Sequence, residues 1–164
     1  MSRAAILIVV SAVLAVPALA LAQAKTDFSG TWSFDEAKSD PASGPGGGGR
    51  GGGGRGTPTK LVIKQTPSEI TIEQTLANGA HSVVYKLDGS ESVNKLARSE
   101  IKAKATWNGA NLVVSGKQSI STPQGTFEIE VKDVYSLATG ALTITATRVT
   151  PLGETTRKLV YNKG

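Results

Sequence analysis

The chain has 164 residues, enough for one domain or two small ones, and its 18 Lys and Arg against 13 Asp and Glu give a formal net charge of +5. It contains no cysteine and a single histidine. That composition excludes a disulfide scaffold, a thiolate metal site, an iron–sulfur cluster and a cysteine nucleophile, and it argues against a histidine-rich metal site or a Ser-His-Asp triad.

Residues 1–24 read as an address rather than as part of the fold. Arg3 precedes a long apolar run that ends in Ala22-Gln23-Ala24, the small-x-small pattern that signal peptidase accepts. An uncleaved membrane anchor is the competing reading, because the run is about long enough to span a bilayer. Pro17 and the alanine-rich end favour cleavage after Ala24. The expectation is a signal helix that is removed, and a mature domain at 25–164 that is periplasmic or secreted in a bacterium, with no stable membrane insertion.

Residues 42–58 form a different kind of segment. Ten of the 19 glycines lie between Gly44 and Gly56, interrupted by Arg50 and Arg55. Such a composition buries no apolar surface, and a disordered Gly/Arg-rich loop is expected. Two arginines without interleaved aromatics make a poor nucleic-acid segment, so no nucleic-acid partner is expected. The run also lacks the Lys-Ser/Thr that closes a phosphate-binding loop.

The remaining chain alternates apolar and polar residues with period two, and helical periodicity is nearly absent. Strands are predicted near 28–35, 59–66, 69–76, 81–88, 97–107, 110–121, 126–138, 141–150 and 155–163, with room for another short one in 89–98. Turn signals separate them at Pro67-Ser68, Asn78-Gly79, Asn108-Gly109, Gln124-Gly125, Thr139-Gly140 and Leu152-Gly153. Connections this short require antiparallel neighbours. Centring each hairpin on its turn pairs Ile63 with Ile72, Ile72 with Tyr85, Ala105 with Leu112, Ile120 with Ile129, Tyr135 with Ile144 and Ala146 with Leu159. Every hairpin thus sets apolar residues opposite apolar residues, while Lys60/Lys64, Lys102/Lys104 and Thr143/Thr145/Thr147 face the other way. A meander with one wet face exposes two edges unless it closes, so an all-β, antiparallel up-and-down barrel of 8–10 strands is expected. The polar exterior excludes an outer-membrane barrel.

The first strand carries a resemblance. Asp27-Phe28-Ser29-Gly30-Thr31-Trp32 places a Gly-x-Trp at the start of the meander, followed by Asp35-Glu36-Ala37-Lys38-Ser39. This resembles the calycin superfamily, and most of all the small bacterial exported proteins called lipocalin-like. The resemblance implies a barrel whose floor is closed by Trp32 beside Gly30, with an arginine from near the last strand packed over the ring. Arg157 is the position that matches that arginine.

Parity places Phe28, Trp32, Phe34, Tyr85, Trp107, Phe127, Tyr135 and Tyr161 on the inner face, where core packing is the plain reading. Three charged residues share that face: Asp133, Arg148 and Arg157. The last hairpin, centred on its turn, sets Arg148 opposite Arg157, and like charges so placed need an anion between them. Asp133 lies diagonal to Arg148 and can supply it, with Arg157 stacked on Trp32. Alternatively the two arginines bind the carboxylate or phosphate of an amphiphile whose tail lies among the aromatics. The candidate ligand-binding residues are therefore Arg148, Arg157, Asp133, Tyr85, Trp107, Tyr135 and Tyr161. His81, beside a turn, reads as a solvated hairpin residue. No nucleophile-and-base arrangement, metal site or cofactor motif is recognisable, and no catalytic residue is assigned.

Two functions remain open on these grounds. One is a non-catalytic barrel that binds a small hydrophobic or anionic amphiphilic ligand. The other is a solid barrel that acts as a structural or interaction module of the bacterial envelope, contacting anionic polymers through Lys60, Lys64, Lys102 and Lys104. An enzyme built on an interior Asp133/Tyr/Arg cluster is a weaker third.

Overall fold

The computed structural model describes residues 25–41 and 56–164. The expected signal segment 1–24 and most of the expected Gly/Arg-rich loop, including Arg50 and Arg55, lie outside the described residues. The end of that loop is described, and there Thr57 and Pro58 are buried rather than loose.

Ten strands follow in order: β1 (Gly30–Phe34), β2 (Lys60–Gln65), β3 (Glu69–Leu76), β4 (Gly79–Lys86), β5 (Glu91–Leu96), β6 (Ser99–Asn108), β7 (Asn111–Thr122), β8 (Gly125–Ala138), β9 (Ala141–Thr150) and β10 (Gly153–Lys163). They form one antiparallel sheet in the spatial order β4-β3-β2-β1-β10-β9-β8-β7-β6-β5. The meander is joined through β1 and β10, whose pairing sets Trp32 beside Lys163 and Phe34 beside Tyr161. The fold is an all-β up-and-down barrel, and the segment 89–98 supplies the extra strand β5.

The sheet curls because only one of its faces is apolar. Leu61, Ile63, Ile70, Ile72, Val83, Tyr85, Ala103, Ala105, Leu112, Val114, Tyr135, Leu142, Ile144, Leu159 and Tyr161 belong to a single buried cluster with Phe28 and Trp32. Burying a side chain the size of Leu or Ile contributes about 1.5–3 kcal/mol, so curling into one closed core is strongly favoured. Between β4 and β5, the two edges of the sheet, side chains replace the ladder. The Asn94 Oδ1 accepts from the Val84 N–H at 2.7 Å and its Nδ2 donates to the Val84 carbonyl at 3.0 Å, while the Ser92 Oγ accepts from the Lys86 N–H at 2.9 Å. Asn94 and Ser92 are buried, and this seam nearly closes the barrel.

Four hairpin registers differ from the expected centring, two of them by the same physical cause. In Thr122-Pro123-Gln124-Gly125 and Thr150-Pro151-Leu152-Gly153 the proline, with its fixed φ, takes the second turn position and the glycine the fourth. Thr122 Oγ1 donates to the Gly125 carbonyl at 2.8 Å and Thr150 Oγ1 to that of Gly153 at 3.1 Å. The loop centre therefore moves back one residue, and Ile120 faces Phe127 rather than Ile129, while Ala146 faces Arg157 rather than Leu159. Leu76-Ala77-Asn78-Gly79, without a proline, also moves its centre back one residue, so Ile72 faces Val83 and Ile70 faces Tyr85. At Asn108–Asn111 the centre moves forward instead, and Ala105 faces Val114. Thr139-Gly140 keeps the expected pairing, with φ of 49° and 79° as a type I′ turn requires. Each slip moves partners by two residues and leaves the inner and outer faces unchanged.

Phe127 is the aromatic that is not inside. It has inward parity but is 45% exposed. Gly125–Ile129 of β8 pair with β7 alone, because pairing with β9 starts at Glu130, so that part of the hairpin extends past the edge of β9.

Gly116, on the inner face of β7 opposite Ala103, marks the tightest part of the curl. A Cβ there would lie 2.5 Å from the Ala103 Cα and closer still to the Lys102 carbonyl oxygen. Both obstacles are backbone, so only glycine fits without moving β6 away from β7. Gly116→Ala is expected to cost about 1–3 kcal/mol, read as a lowered urea midpoint, whereas Ser115→Ala on the outer face should change stability by less than about 0.5 kcal/mol. Equal midpoints for the two variants would refute the close approach.

Candidate functional site

One end of the barrel interior is plugged by aromatics. Phe28 stacks on Trp107 with centroids 6.1 Å apart and meets Tyr135 edge-on at 6.3 Å. The Trp32 Nε1–H donates to the Phe28 carbonyl at 2.9 Å, locking the segment before β1 against the floor. Gly30, at φ 141°, lets the chain enter β1 beside the indole. The cation over the Trp32 ring is Lys163, at 5.9 Å, not Arg157. Register explains the substitution: Lys163 is paired with Trp32, while Arg157 stands six residues earlier on β10, about 20 Å along the strand.

Arg157, on β10 opposite Ala146, is instead tied to the segments on either side of residues 42–55. Its guanidinium donates to Thr57 Oγ1 at 3.2 Å and to the Asp40 carbonyl at 3.1 Å. The stretch Asp35–Asp40 that follows β1 runs along β10 to reach it. Asp35 N–H donates to the Val160 carbonyl and Asp40 N–H to that of Lys158, both at 2.8 Å. Ser39 Oγ accepts from the Val160 N–H at 2.8 Å, and the Asp40 carboxylate from the Lys158 N–H at 2.7 Å. Because Arg148 faces Thr155 and Arg157 faces Ala146, the two arginines are not directly opposed as expected.

Arg148 takes the partner expected for it. Its guanidinium grips Asp133 with both ends, NH1 to Oδ1 at 2.5 Å and NH2 to Oδ2 at 3.2 Å, and NH1 also donates to the Thr147 carbonyl at 2.8 Å. The Asp133 side chain is 20% exposed and that of Arg148 35%, so the pair is partly hydrated. Burial opposes the Arg148 charge, but the adjoining Asp133 carboxylate outweighs it and holds the guanidinium protonated.

The pair borders an interior cavity of about 90 Å³. Leu61, Ile72, Ile144 and Leu159 supply its apolar wall; Gln74, Asp133, Arg148 and Tyr135 supply polar groups. Gly56 and Pro58 also line it, and the Tyr161 hydroxyl donates to the Pro58 carbonyl at 3.1 Å. Of the seven expected ligand-binding residues, the cavity brings together Asp133, Arg148, Tyr135 and Tyr161. Tyr85 is buried nearby, within electrostatic reach of Asp133 and Arg148, but does not line the cavity. Trp107 belongs to the floor, and Arg157 to its tie with Thr57 and Asp40. Gln74 was missed, although it shares parity with Ile70 and Ile72 and so was accessible to the same reasoning.

No protein-family model matches the chain, and no curated protein does. Solved structures do. A REP1-NXSQ fatty acid transporter superposes with a TM-score of 0.55 at 11% identity, covering 83% of this chain and 95% of its own. Zebrafish ileal bile acid-binding protein, complexed with cholic acid, superposes with a TM-score of 0.55 at 16% identity, covering 84% of this chain and 98% of its own. The up-and-down barrel fold is thus shared with these proteins over nearly their whole length. At such identities the fold is what is shared, and site residues are not.

The tyrosines carry a testable consequence. Burial raises the hydroxyl pKa of Tyr85, Tyr135 and Tyr161 above the ordinary tyrosine range, and the Asp133 charge adds to this at all three. The folded state therefore keeps protons that the unfolded chain releases near about pH 10. Stability from this source is intact below about pH 10 and falls as pH rises beyond it. The urea midpoint is expected to drop between about pH 9 and 11, by on the order of 1 kcal/mol per buried tyrosine, with a shallower drop in Tyr135→Phe. A flat midpoint over that range would contradict the burial of these hydroxyls.

Proposed function

We propose that the protein is an exported, non-catalytic carrier or receptor that holds a small apolar or amphiphilic molecule inside the barrel. The observation that carries this reading is the polar end of the cavity: a charged pair and a tyrosine set into an otherwise apolar interior, bordering open space rather than packed shut. The polar groups would orient the ligand and the apolar wall would supply binding energy. The structural neighbours named for a fatty acid and complexed with cholic acid agree with such use of the fold. The sequence of residues 1–24, an apolar run ending in the small-x-small pattern Ala22-Gln23-Ala24, supports export to a bacterial periplasm or beyond.

One observation favours the solid-barrel reading instead. Pockets for full-sized ligands measure about 300–1,000 Å³, and about 90 Å³ corresponds to roughly three water molecules. The site as it stands suits a small molecule or the polar end of a larger one. The basic surface expected for polymer binding is not one surface, however. Lys60 and Lys64 lie on β2, Lys102 and Lys104 on β6, and five strands separate them along the sheet on one side.

Two experiments test the proposal. Native mass spectrometry of protein from its own envelope should show a retained small molecule, and Ala146→Phe, which fills the cavity, should reduce its occupancy at least about tenfold while the protein stays folded. Retention unaffected by Ala146→Phe would place the ligand elsewhere, and no retained or exchangeable ligand would leave the solid barrel. Mass spectrometry of exported chains should find Lys25 at the N-terminus, and intact Met1 chains in the membrane fraction would overturn export with cleavage.

A further inference from the structure

We propose that the cavity selects ligands with an uncharged hydroxyl or amide group and discriminates against carboxylates and phosphates. This rests on the reading that the interior binds a ligand, and it replaces the anionic head expected from two inward arginines. The argument is a charge inventory of the wall. Among the described residues, Asp133 and Arg148 are the charged side chains that line the cavity, and no lysine lines it. They are joined end to end at 2.5 and 3.2 Å, so the positive charge of Arg148 is already answered. Arg157, the second cation of inward parity, does not line the cavity, and its two terminal nitrogens donate to Thr57 Oγ1 and the Asp40 carbonyl.

An anion entering beside Arg148 would also enter beside Asp133. In a partly desolvated site the repulsion from one offsets the attraction of the other. The anion would in addition lose its own hydration with no net charge on the Asp133–Arg148 pair to compensate. A hydroxyl or amide meets neither obstacle. Gln74 and Tyr135 offer both donors and acceptors, Arg148 keeps N–H groups not used by Asp133 or Thr147, and each Asp133 oxygen keeps a free lone pair. Leu61, Ile72, Ile144 and Leu159 then face whatever apolar part the molecule carries. Asp133 is on this account the residue that sets specificity, by neutralising the arginine rather than by touching a charge on the ligand.

Calorimetry on the mature chain with three short probes of matched length, hexanol, hexanamide and hexanoate, distinguishes the possibilities at pH 7. The alcohol and amide are expected to bind at least about tenfold tighter than the acid. Asp133→Asn should reverse the order by freeing Arg148, with hexanoate gaining at least about tenfold. The wild-type ranking needs no variant, so it decides the matter even if Asp133→Asn fails to fold. Hexanoate binding as tightly as hexanol to the wild type would overturn the selectivity while leaving an interior ligand site standing. An Asp133→Asn protein that folds and keeps the wild-type ranking would remove Asp133 from its role. Failure of all three probes to bind would overturn the site and the selectivity together.

Discussion

A sheet that is apolar on one face and polar on the other cannot remain open in water. The inner face here, from Leu61 and Ile63 on β2 round to Leu159 and Tyr161 on β10, is buried in a single cluster, and only closure hides it all. Every other feature is subordinate to that constraint. Gly116 allows β7 to pass the Ala103 backbone closely enough for the curl. The Trp32 indole and Phe28 fill the end that curling leaves open. At the seam, where the two edge strands do not form a ladder, Asn94 offers a carbonyl and an amide N–H₂ to the Val84 backbone much as a neighbouring strand would. Unpaired backbone groups there would cost about 1–3 kcal/mol each, which is enough to explain two buried polar side chains on the inner face at the seam.

The same constraint explains where charge is tolerated inside. Asp133 and Ala146 face each other across β8 and β9, and Arg148 stands two residues beyond Ala146 on the same face. The small Ala146 side chain leaves the guanidinium room to reach back to the carboxylate. Removing one member of such a pair typically costs more than the pair contributes, because the other is left desolvated and alone. The pair is thus better understood as specifying what can share the cavity than as a source of stability.

The legibility of all this in the sequence follows from a symmetry. Alternation has period two, and a hairpin whose centre is misjudged by one residue moves its partners by two. The assignment of Ile72, Tyr85, Ala105 and Ile120 to the inner face therefore survived registers that were wrong for each of them. Contacts that depend on register did not survive: Arg148 and Arg157 are offset, and Lys163 rather than Arg157 covers Trp32. The short strand β5 was hard to read because its pattern is inverted. Ser92 and Asn94 point in, serving β4's backbone, while Val93 points out and is 51% exposed. An apolar-in rule cannot recognise a strand whose inward residues substitute for missing backbone partners. Phe127 failed for the complementary reason, since its parity is right but the sheet beneath it ends.

The basic composition has to be weighed against these placements. Two arginines of inward parity are occupied within the protein, one by Asp133 and one by Thr57 and the Asp40 carbonyl. On the outer face several lysines have acidic neighbours: Lys64 with Glu73 at 3.0 Å, Lys102 with Glu100 at 3.2 Å and Lys117 with Glu128 at 3.6 Å. Exposed pairs of this kind contribute about 1 kcal/mol or less to stability, yet they break up what would otherwise be a continuous positive field. Net charge then bears on solubility and on weak long-range attraction, not on a built site. The Asp133–Arg148 pair fixes charge in geometry and partly removes it from water, and that pair is electrically balanced, so specific recognition there is not directed by net charge.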